Sequence, residues 1–367
     1  MRTLFGRFLL VFTTLLFSIT AYLGARLAES LLQWFFLVAT AFLLLLFPLV
    51  HWRNRGGGSR GMFSMRLQQL SFFAMGFFSW LLVVALGRDF WLLVNWLGFG
   101  PMPPAGWPAF GVAFALMGIS ALWAGLGLRL REIHVPLALS SSIKIAQVSD
   151  LHVGPTVGRR YVERVVKKLN GWNPDITVLT GDIIDGAPED LADALAPLAE
   201  LEPKGKVFFV PGNHEYYWRF PEWQAMLARL GFTVLVNEGR MVRLRGVEVW
   251  VGGVPDTMRV GLPDEPNAQA AASGGEGASL RLLLSHRPDL AEAAEKSGFH
   301  LQLSGHTHGG QFFPWTLVAR LFHQYFLGLM KHKKMWIYVS PGTGTWGPPA
   351  RFGTTPEISG LIVGKSL

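Results

Sequence analysis

Five short motifs in the C-terminal half of the chain carry side chains of the kinds that bind metal ions. They are Asp150-Leu151-His152, Gly181-Asp182, Gly212-Asn213-His214-Glu215, Ser285-His286 and Gly305-His306-Thr307-His308. Carboxylate and amide oxygens together with imidazole nitrogens suit Mn, Fe or Zn, and the residue types do not choose among these metals. The chain has no cysteine, which excludes a thiolate metal site. The motifs therefore predict a metal centre with oxygen and nitrogen ligands.

Each motif follows a short apolar run, as expected of polar side chains at the end of a buried strand. Because strand side chains alternate, residues two positions apart, such as Asp150 and His152, can point to the same side. The glycines allow tight turns and close approach of the backbone. One such motif is weak evidence, since a lone histidine at a strand end is more commonly a hydrogen-bonded structural residue. Five motifs in series are hard to obtain by chance, and they predict one shared site.

Five other histidines lie outside these motifs, and we expect structural roles for them. They are His51, His134, His300, His323 and His332. No motif resembles the nucleophile elbow of a serine or cysteine hydrolase. Hydrolysis by a metal-activated hydroxide is therefore favoured over covalent catalysis.

The motifs lie in a region where strand and helix patterns alternate. Strand patterns cover 143–148, 176–180, 207–210, 233–236, 247–251, 280–284, 301–303, 336–339 and 358–363, and helical spacing of apolar residues covers 162–169, 191–198, 222–230 and 288–297. Repeated strand–loop–helix units predict an α/β domain of about 220 residues with its polar site at the strand ends. We expect residues 255–279 to form a flexible surface excursion.

The N-terminal part of the chain predicts a membrane anchor. Half of all residues are hydrophobic and only 16% are charged, against about 25% in soluble domains. Four stretches approach the roughly 20 apolar residues that cross a bilayer. They are Phe8–Ala25, the stretch between Glu29 and Arg53, Leu67–Gly87 and Pro108–Leu128. Phe90–Leu97 is too short to span, so we expect Trp91, Trp96 and Trp107 to lie at the interface.

Arginine placement predicts the orientation of these spans. Arginines precede the first span, fill the second loop and follow the fourth span: Arg2, Arg7, Arg53, Arg55, Arg60, Arg66, Arg129 and Arg131. In the other two loops Arg26 is offset by Glu29, and Arg88 by Asp89. Positive residues on the inside predict that both termini and the C-terminal domain lie in the cytoplasm. We expect the membrane to be the inner membrane of a bacterium. A cleaved secretory signal at the first span is the weaker alternative, because three further spans follow it.

Charge separates the two parts of the chain. Residues 1–140 carry ten arginines and three acids, whereas residues 141–367 carry 23 basic and 22 acidic residues. The positive excess thus belongs to the apolar part, which argues against nucleic-acid binding by the folded domain. The span interiors hold no charged residue, which favours an anchor over a transporter or channel. We predict a four-helix transmembrane anchor at 1–135 and an α/β domain at 143–367.

In order and spacing, the motifs resemble the signature of the calcineurin-like metallophosphoesterases, D-x-H, G-D, G-N-H-[DE], H and G-H-x-H. This chain supplies DLH at 150–152, GD at 181–182, GNHE at 212–215, H at 286 and GHTH at 305–308. The resemblance covers about residues 143–367 and implies an α/β fold with a central β-sandwich flanked by helices. The tail PGTGTWGPPARFGTTPEI at 341–358 and the apolar N-terminus resemble the YaeI/YkuE-like subgroup, called transmembrane protein with metallophosphoesterase domain.

The resemblance also implies a centre of two divalent metal ions. The implied ligands of one metal are Asp150, His152, Asp182 and His308, and those of the other are the shared Asp182, Asn213, His286 and His306. Two ions about 3.5–4 Å apart activate a bridging water and bind phosphoryl oxygens during in-line attack. His214 would stabilise the transition state or protonate the leaving oxygen. Glu215 would orient His214 or cap the following helix.

A segment rich in aromatic residues and leucine, FFPWTLVARLFHQYFLGLMKHKK, lies between Gln311 and Met335. Pro314, Arg320 and His323 interrupt it, so it is not a span. It suits the headgroup layer of a bilayer, or equally a hairpin packed on the domain's own core. In the first case it would admit a lipid-linked phosphoester to the metal site. Membrane-bound members of the resembled family are associated with cleaving the pyrophosphate of UDP-2,3-diacylglucosamine, a lipid A precursor.

The leading interpretation is a membrane-anchored di-metal phosphohydrolase, either a phosphodiesterase or a pyrophosphatase. The rival from another class is a membrane sensor or scaffold that binds metal without turnover, and the complete motif set disfavours it. A phosphodiesterase of soluble nucleotides is a further alternative. The sequence leaves the substrate, the metal and the oligomeric state open.

Overall fold

The computed structural model describes residues 2–55, 62–95, 101 and 103–364. Among them, residues up to 55, 62–122 and 347–350 group into a helical unit, and residues 123–346 and 351–364 group into an α/β unit. The two units are described separately below.

The helical unit is built from four long apolar helices. They are α1 (Arg2–Leu27), α2 (Leu31–Arg55), α3 (Met62–Asn95) and α4 (Gly106–Leu126). A helix satisfies its own backbone hydrogen bonds, as a chain in lipid must. Each of the four is long and apolar enough to cross a membrane. Among the described residues, the prediction of four apolar N-terminal helices is therefore confirmed.

The third helix is longer than the sequence predicts. We expected the span to end at Gly87 and residues 90–97 to form a separate run, but α3 continues without a break to Asn95. Asp89 lies inside this continuation, with its Oδ2 3.2 Å from Arg26 Nε of α1. The charge of Asp89 thus has a partner on α1, and the helix continues through it. Of the residues assigned to the membrane surface, Arg60 and Trp96 lie outside the described part of the chain.

Aromatic rings hold helices α2, α3 and α4 together. Phe36 of α2 lies edge-on to Phe77 of α3 at 5.9 Å and to Phe110 of α4 at 6.0 Å between ring centroids. Phe114 of α4 lies 6.0 Å from Phe73 of α3. Between helices in lipid the hydrophobic effect gives little drive, so such packing contacts carry the association.

The α/β unit contains two six-stranded sheets. In spatial order the first sheet is β1 (Arg129–Val135), β12 (Glu357–Val363), β2 (Ile143–Val148), β3 (Ile176–Thr180), β4 (Val207–Val210) and β5 (Thr233–Val234). The second is β10 (Gly328–His332), β11 (Met335–Val339), β9 (Leu301–Ser304), β8 (Leu280–Leu284), β7 (Val247–Gly253) and β6 (Glu238–Leu244). Both sheets are mixed, since β12 runs antiparallel to β2 and β10 antiparallel to β11, while β2, β3 and β4 are parallel.

Short helices complete the unit. The α-helices are α5 (Arg159–Trp172), α6 (Pro188–Leu195), α7 (Asn213–Tyr217), α8 (Phe220–Arg229), α9 (Ala268–Ala272), α10 (Ala291–Lys296) and α11 (Trp315–Val318). The 3₁₀ turns are Ala196–Glu200, Thr257–Arg259, Pro288–Leu290, His308–Gly310 and Ala319–Leu321. One apolar cluster joins both sheets, and others lie under the helices. The predicted α/β fold class with two packed sheets is therefore confirmed.

Three features of this unit differ from the sequence-based expectations. Strand β1 pairs with β12 although it precedes residue 143, where we expected the α/β domain to begin. Residues 255–279 are partly packed, because α9 buries three alanines that are too small to mark an apolar face. The segment 311–335 divides in two: its C-terminal part is the edge strand β10, while residues 315–322 expose large apolar side chains.

Candidate metal centre

All of the predicted site residues lie in the α/β unit, at the carboxyl ends of strands. They are Asp150 and His152 after β2, Asp182 after β3, Asn213 and His214 after β4, His286 after β8, and His306 and His308 after β9. The parallel strands of each sheet end at one edge, where α/β folds place their sites. The fold thus brings the five sequence motifs to one end of the two sheets.

Asp150, His152 and His308 form a first group of ligand-type atoms. The Nε2 atoms of His152 and His308 are 3.1 Å apart. Asp150 Oδ1 lies 3.4 Å from His308 Nε2. One ligand atom from each residue lies within 4.8 Å of the others, a spacing that could hold a cation.

Asp182, His286 and His306 form a second group. Asp182 Oδ2 is 3.2 Å from His286 Nε2, and His306 Nδ1 is also 3.2 Å from that atom. His286 Nδ1 donates to the Thr180 carbonyl at 2.8 Å, which leaves Nε2 to face the group. Asp182 Oδ2 is in addition 3.8 Å from His152 Nε2 of the first group. The carboxylate of Asp182 therefore lies between the two groups.

Asn213 supplies the observation that tests whether metals fit this site. Its Oδ1 is buried and finds no hydrogen-bond partner among the described residues. A buried carbonyl oxygen without a partner is costly, so such an atom calls for an explanation. A cation beside the second group would satisfy it. The donor set of carboxylates, imidazoles and one amide suits Mn, Fe or Zn.

The backbone at the site adopts a conformation that non-glycine residues rarely take. Five of the predicted site residues have positive φ: Asp150 at 52°, His152 at 50°, Asp182 at 53°, His306 at 71° and His308 at 51°. Each such residue costs about 1–3 kcal/mol unless its surroundings compensate. These turns aim side chains from separate strand ends into one small volume.

Two glycines allow the close approach that the site requires. A Cβ on Gly305 would lie 1.9 Å from Ser149 Oγ and 2.2 Å from Asp150 Oδ2. A Cβ on Gly212 would lie 2.2 Å from Asp182 Oδ1. Any side chain at these positions would displace a carboxylate of the site.

Glu215 holds two of the motifs together. Its Oε2 accepts from the N–H groups of Gly212 at 2.7 Å and Asp182 at 2.9 Å, and its Oε1 accepts from Ile183 at 2.8 Å and Ile184 at 3.4 Å. The bond to Gly212 closes a capping box at the start of α7. Burial raises the pKa of Glu215 to about 7, and these donors oppose the rise. Of the two roles expected for Glu215, the contacts show the capping role.

Burial and neighbouring charges shape the electrostatics of the two groups. Burial works against ionisation of Asp182, but the imidazoles, His286 first, outweigh it and hold the pKa of its carboxyl well below the ordinary value. Burial likewise opposes charge on His286, yet Asp182 outweighs it and raises the pKa of His286 to about 10. Burial lowers the pKa of His152 to about 3, with His214 adding to the effect.

Asp185 is a site residue that sequence reasoning missed. Its Oδ1 lies 3.2 Å from His214 Nδ1 and accepts from Trp218 Nε1 at 3.1 Å. Burial disfavours the imidazolium, but Asp182 and Asp185 outweigh burial and raise the pKa of His214. The signal was present in the sequence as a second aspartate three positions after Asp182. The sequence alone does not assign it to the site, because nothing in a loop pattern fixes the direction of a side chain.

Aromatic side chains flank His214. Its ring centroid is 5.3 Å from that of Tyr217 and 5.9 Å from that of Trp346. The side chain of Gln311 fixes the backbone of Trp346, accepting from its N–H at 2.9 Å and donating to its carbonyl at 3.0 Å. The buried guanidinium of Arg351 donates to carbonyl groups of the same loop and to that of His308 at 3.1 Å.

Among the other histidines, His323 lies beside the site. Its ring centroid is 6.2 Å from that of His306. His300 accepts from the Arg281 N–H, and His332 lies 3.1 Å from a carboxylate oxygen of Glu292. The latter two contacts are structural, as expected.

Comparison with known proteins gives concordant matches. A family model described as calcineurin-like phosphoesterase matches residues 143–310. The chain is 34% identical over 233 residues to a zebrafish (Danio rerio) transmembrane protein with metallophosphoesterase domain, covering 61% of this chain and 53% of that protein. It is 34% identical over 259 residues to an uncharacterized metallophosphoesterase of Helicobacter pylori, covering 68% of this chain and 69% of the relative.

Among solved structures, a 5′-nucleotidase precursor of Thermus thermophilus matches with a TM-score of 0.38 and 15% identity, over 60% of this chain and 55% of that one. The chain spans about half the length of the zebrafish relative but more than two thirds of the H. pylori relative. On the family model and the H. pylori relative, the chain belongs to the calcineurin-like metallophosphoesterases.

Proposed function

We propose that the α/β unit hydrolyses phosphoesters or phosphoanhydrides with two divalent metal ions, as a phosphodiesterase or pyrophosphatase. The observation that carries the proposal is the position of Asp182 between two groups of imidazoles and carboxylates. The proposed ligands are Asp150, His152, Asp182 and His308 for one ion, and Asp182, Asn213, His286 and His306 for the other. Bound divalent ions supply Lewis acidity, which lowers the pKa of water and offsets phosphoryl charge.

His214 has the geometry of a proton donor to the leaving oxygen. Nδ1 of His214 donates to the carboxylate of Asp185, which fixes the imidazole ring. Nε2 of His214 then faces the site, 3.9 Å from Asp182 Oδ2. An imidazole held in this way can keep a proton at Nε2 and release it when negative charge develops on a leaving oxygen. The rings of Tyr217 and Trp346 lie beside the imidazole, which is itself buried.

Hydrolysis of bis-p-nitrophenyl phosphate by the purified full-length chain, with and without added Mn, tests the proposal. We expect metal-dependent turnover that His214→Ala and Asp182→Ala abolish. His332→Ala is the matched control, because it removes a histidine outside the site. A sensor or scaffold would bind metal and show no turnover in any variant. A screen against phosphomonoesters, diesters and lipid pyrophosphates would then give the substrate class.

We further propose that the substrate is lipid-linked, of the type of UDP-2,3-diacylglucosamine. The support is the apolar segment 315–322, in which the Leu321 and Phe322 side chains are 83% and 77% exposed. This segment adjoins the metal loop, because a Cβ on Gly310, two residues after His308, would lie 2.4 Å from the Trp315 carbonyl oxygen. Exposed apolar side chains grouped on one surface mark an interaction site, here with acyl chains or the bilayer.

Substituting Leu321 and Phe322 by serine tests the lipid proposal. Turnover of a lipid pyrophosphate should fall about tenfold or more, corresponding to lost apolar burial of about 1.4 kcal/mol, while bis-p-nitrophenyl phosphate turnover should stay unchanged. The same change at the exposed Val260 and Leu262 is the control. Equal losses on both substrates would contradict the proposal. Deletion of 314–332 is less informative, because it removes strand β10.

The proposed localisation is the inner membrane of a bacterium, with the four apolar helices as anchor and the α/β unit in the cytoplasm. The support is the arginine asymmetry of the loops. The chain has no cysteine, so single cysteines can report topology directly. A membrane-impermeant maleimide should label Ser30→Cys in intact spheroplasts and label Lys204→Cys only after lysis. The opposite pattern would reverse the orientation.

A further inference from the structure

Helix α5 carries a strongly basic face. Its buried face consists of valines and one leucine at helical spacing. Arg160, Arg164, Lys167 and Lys168 follow at the spacing i, i+4, i+7 and i+8, so they share the opposite, exposed face. Within the part of the chain that the structure describes, Arg160, Lys167 and Lys168 form no ion pair. The face therefore presents positive charge to its surroundings.

This basic face adjoins the end of the fourth membrane helix. Residues 123–126, the last turn of α4, belong to the α/β unit. Arg164 Nη2 donates to the carbonyl of Gly125 in that turn at 2.6 Å. Arg129 lies 5.0 Å above the ring of Trp123 in the same turn. Tryptophan and arginine at the end of a membrane helix mark the headgroup level.

The positive charge of the α5 face and its contact with the end of α4 together indicate which anions this face meets. The stripe contains the residue that contacts the end of α4, a helix long and apolar enough to cross a membrane, so we expect its cations at the level where that helix leaves the bilayer. Lipid phosphates are the anions found there. The acids close to the stripe are engaged elsewhere. Glu163 in the helix pairs with Arg159 at 2.9 Å, and Asp175 just after the helix pairs with Arg245 at 2.8 Å.

We propose that the exposed face of α5 binds the headgroups of anionic phospholipids and so holds the α/β unit against the membrane surface. Lysine and arginine close to a bilayer are attracted to anionic lipid, and the attraction decays within a Debye length. This contact is separate from catalysis, and it does not depend on what the metal centre hydrolyses.

A fluorophore on α5 in the full-length chain tests the proposal. Gly171 lies on the exposed face, seven residues after Arg164, and a side chain there meets open space. The chain has no cysteine, so Gly171→Cys gives a single label. The protein is placed in nanodiscs of phosphatidylcholine, with or without phosphatidylglycerol, that contain a lipid with a nitroxide headgroup. We expect about twofold stronger quenching with phosphatidylglycerol, reversed by about 0.5 M salt.

Charge variants separate this contact from general effects of charge. K167E/K168E should remove the dependence on phosphatidylglycerol, whereas K167R/K168R should keep it. R229E/R243E, which changes the same net charge at exposed positions away from α5, should also keep it. Quenching that is equal in neutral and anionic discs, or equal loss in both reversal variants, would overturn the proposal. The readout needs no turnover, so its failure would leave the proposed hydrolysis untouched.

Discussion

The two units depart in opposite ways from the usual distribution of side chains in soluble proteins, which bury apolar groups and expose charged ones. The helical unit exposes large apolar side chains such as Phe17, Leu31 and Phe35. The α/β unit instead buries charged ones, among them Asp150, Glu215 and Arg351. Exposed apolar surface is stable where lipid replaces water, and a buried charge is stable where hydrogen bonds or a metal compensate it. The departure from the rule thus distinguishes the two units, with membrane association in one and phosphoester chemistry in the other.

The sharpest way to separate the two roles is Asp182→Asn. It removes the negative charge that both ligand groups share. We expect hydrolysis of bis-p-nitrophenyl phosphate to fall by about 10³-fold, which is ~4 kcal/mol of transition-state stabilisation, while extraction still requires detergent. Asp193→Asn, at a side chain that is 88% exposed, is the control. Activity within tenfold of the unmodified chain would show that Asp182 does not bridge the groups.

Glu215→Gln should lower the stability of the α/β unit and leave the helices intact. Glutamine offers one acceptor oxygen where the carboxylate accepts from four N–H groups. Buried donors left without a partner cost about 1–3 kcal/mol each, so we expect a loss of about 2–4 kcal/mol. A lowered midpoint of thermal unfolding, with membrane insertion unchanged, would follow. Glu222→Gln on the exposed start of α8 serves for comparison. An unchanged midpoint would refute the capping role.

Asp185→Asn tests whether His214 needs its partner. Outer-shell partners of this kind contribute about 10–100-fold to activity, and we expect a fall in kcat of that size with little change in metal affinity. In a His214→Ala background the same change should have almost no further effect, because the two residues act as a unit. Additive losses in the double variant would show that Asp185 acts independently of His214.

The smallest expected effect lies in the helical unit. Arg26→Gln removes the ion pair with Asp89, in which the arginine side chain is 48% exposed. Ion pairs with that exposure contribute less than about 1 kcal/mol to stability. The midpoint of thermal unfolding of the helices in detergent, followed by circular dichroism, should therefore stay within a few degrees of that of the unmodified chain. Loss of the helical fold would mean that the α3 extension depends on this pair.

The sequence predicts the parts of this molecule that depend on local pattern. The four apolar helices and most strands follow from apolar spacing, and the motifs converge because parallel strands end at one edge. Residues 213–217 do not show their helix in the pattern, since α7 is one turn long and is set by the cap from Glu215. The contact between Asp185 and His214 depends on the loop path between them. The continuation of α3 past Gly87 does not follow from the apolar pattern, because Arg88 and Asp89 interrupt that pattern and the contact of Asp89 with Arg26 lies in another helix.

The left-handed backbone at five site residues sets stability against function when the chain is evolved in the laboratory. Glycine adopts such angles without strain, so the fold alone would favour glycine over the present residue at each of these positions. A selection for heat tolerance with no demand on turnover would therefore drift towards glycine at His152, His306 and His308. The sturdiest descendants of such a selection would be the ones that had lost their chemistry.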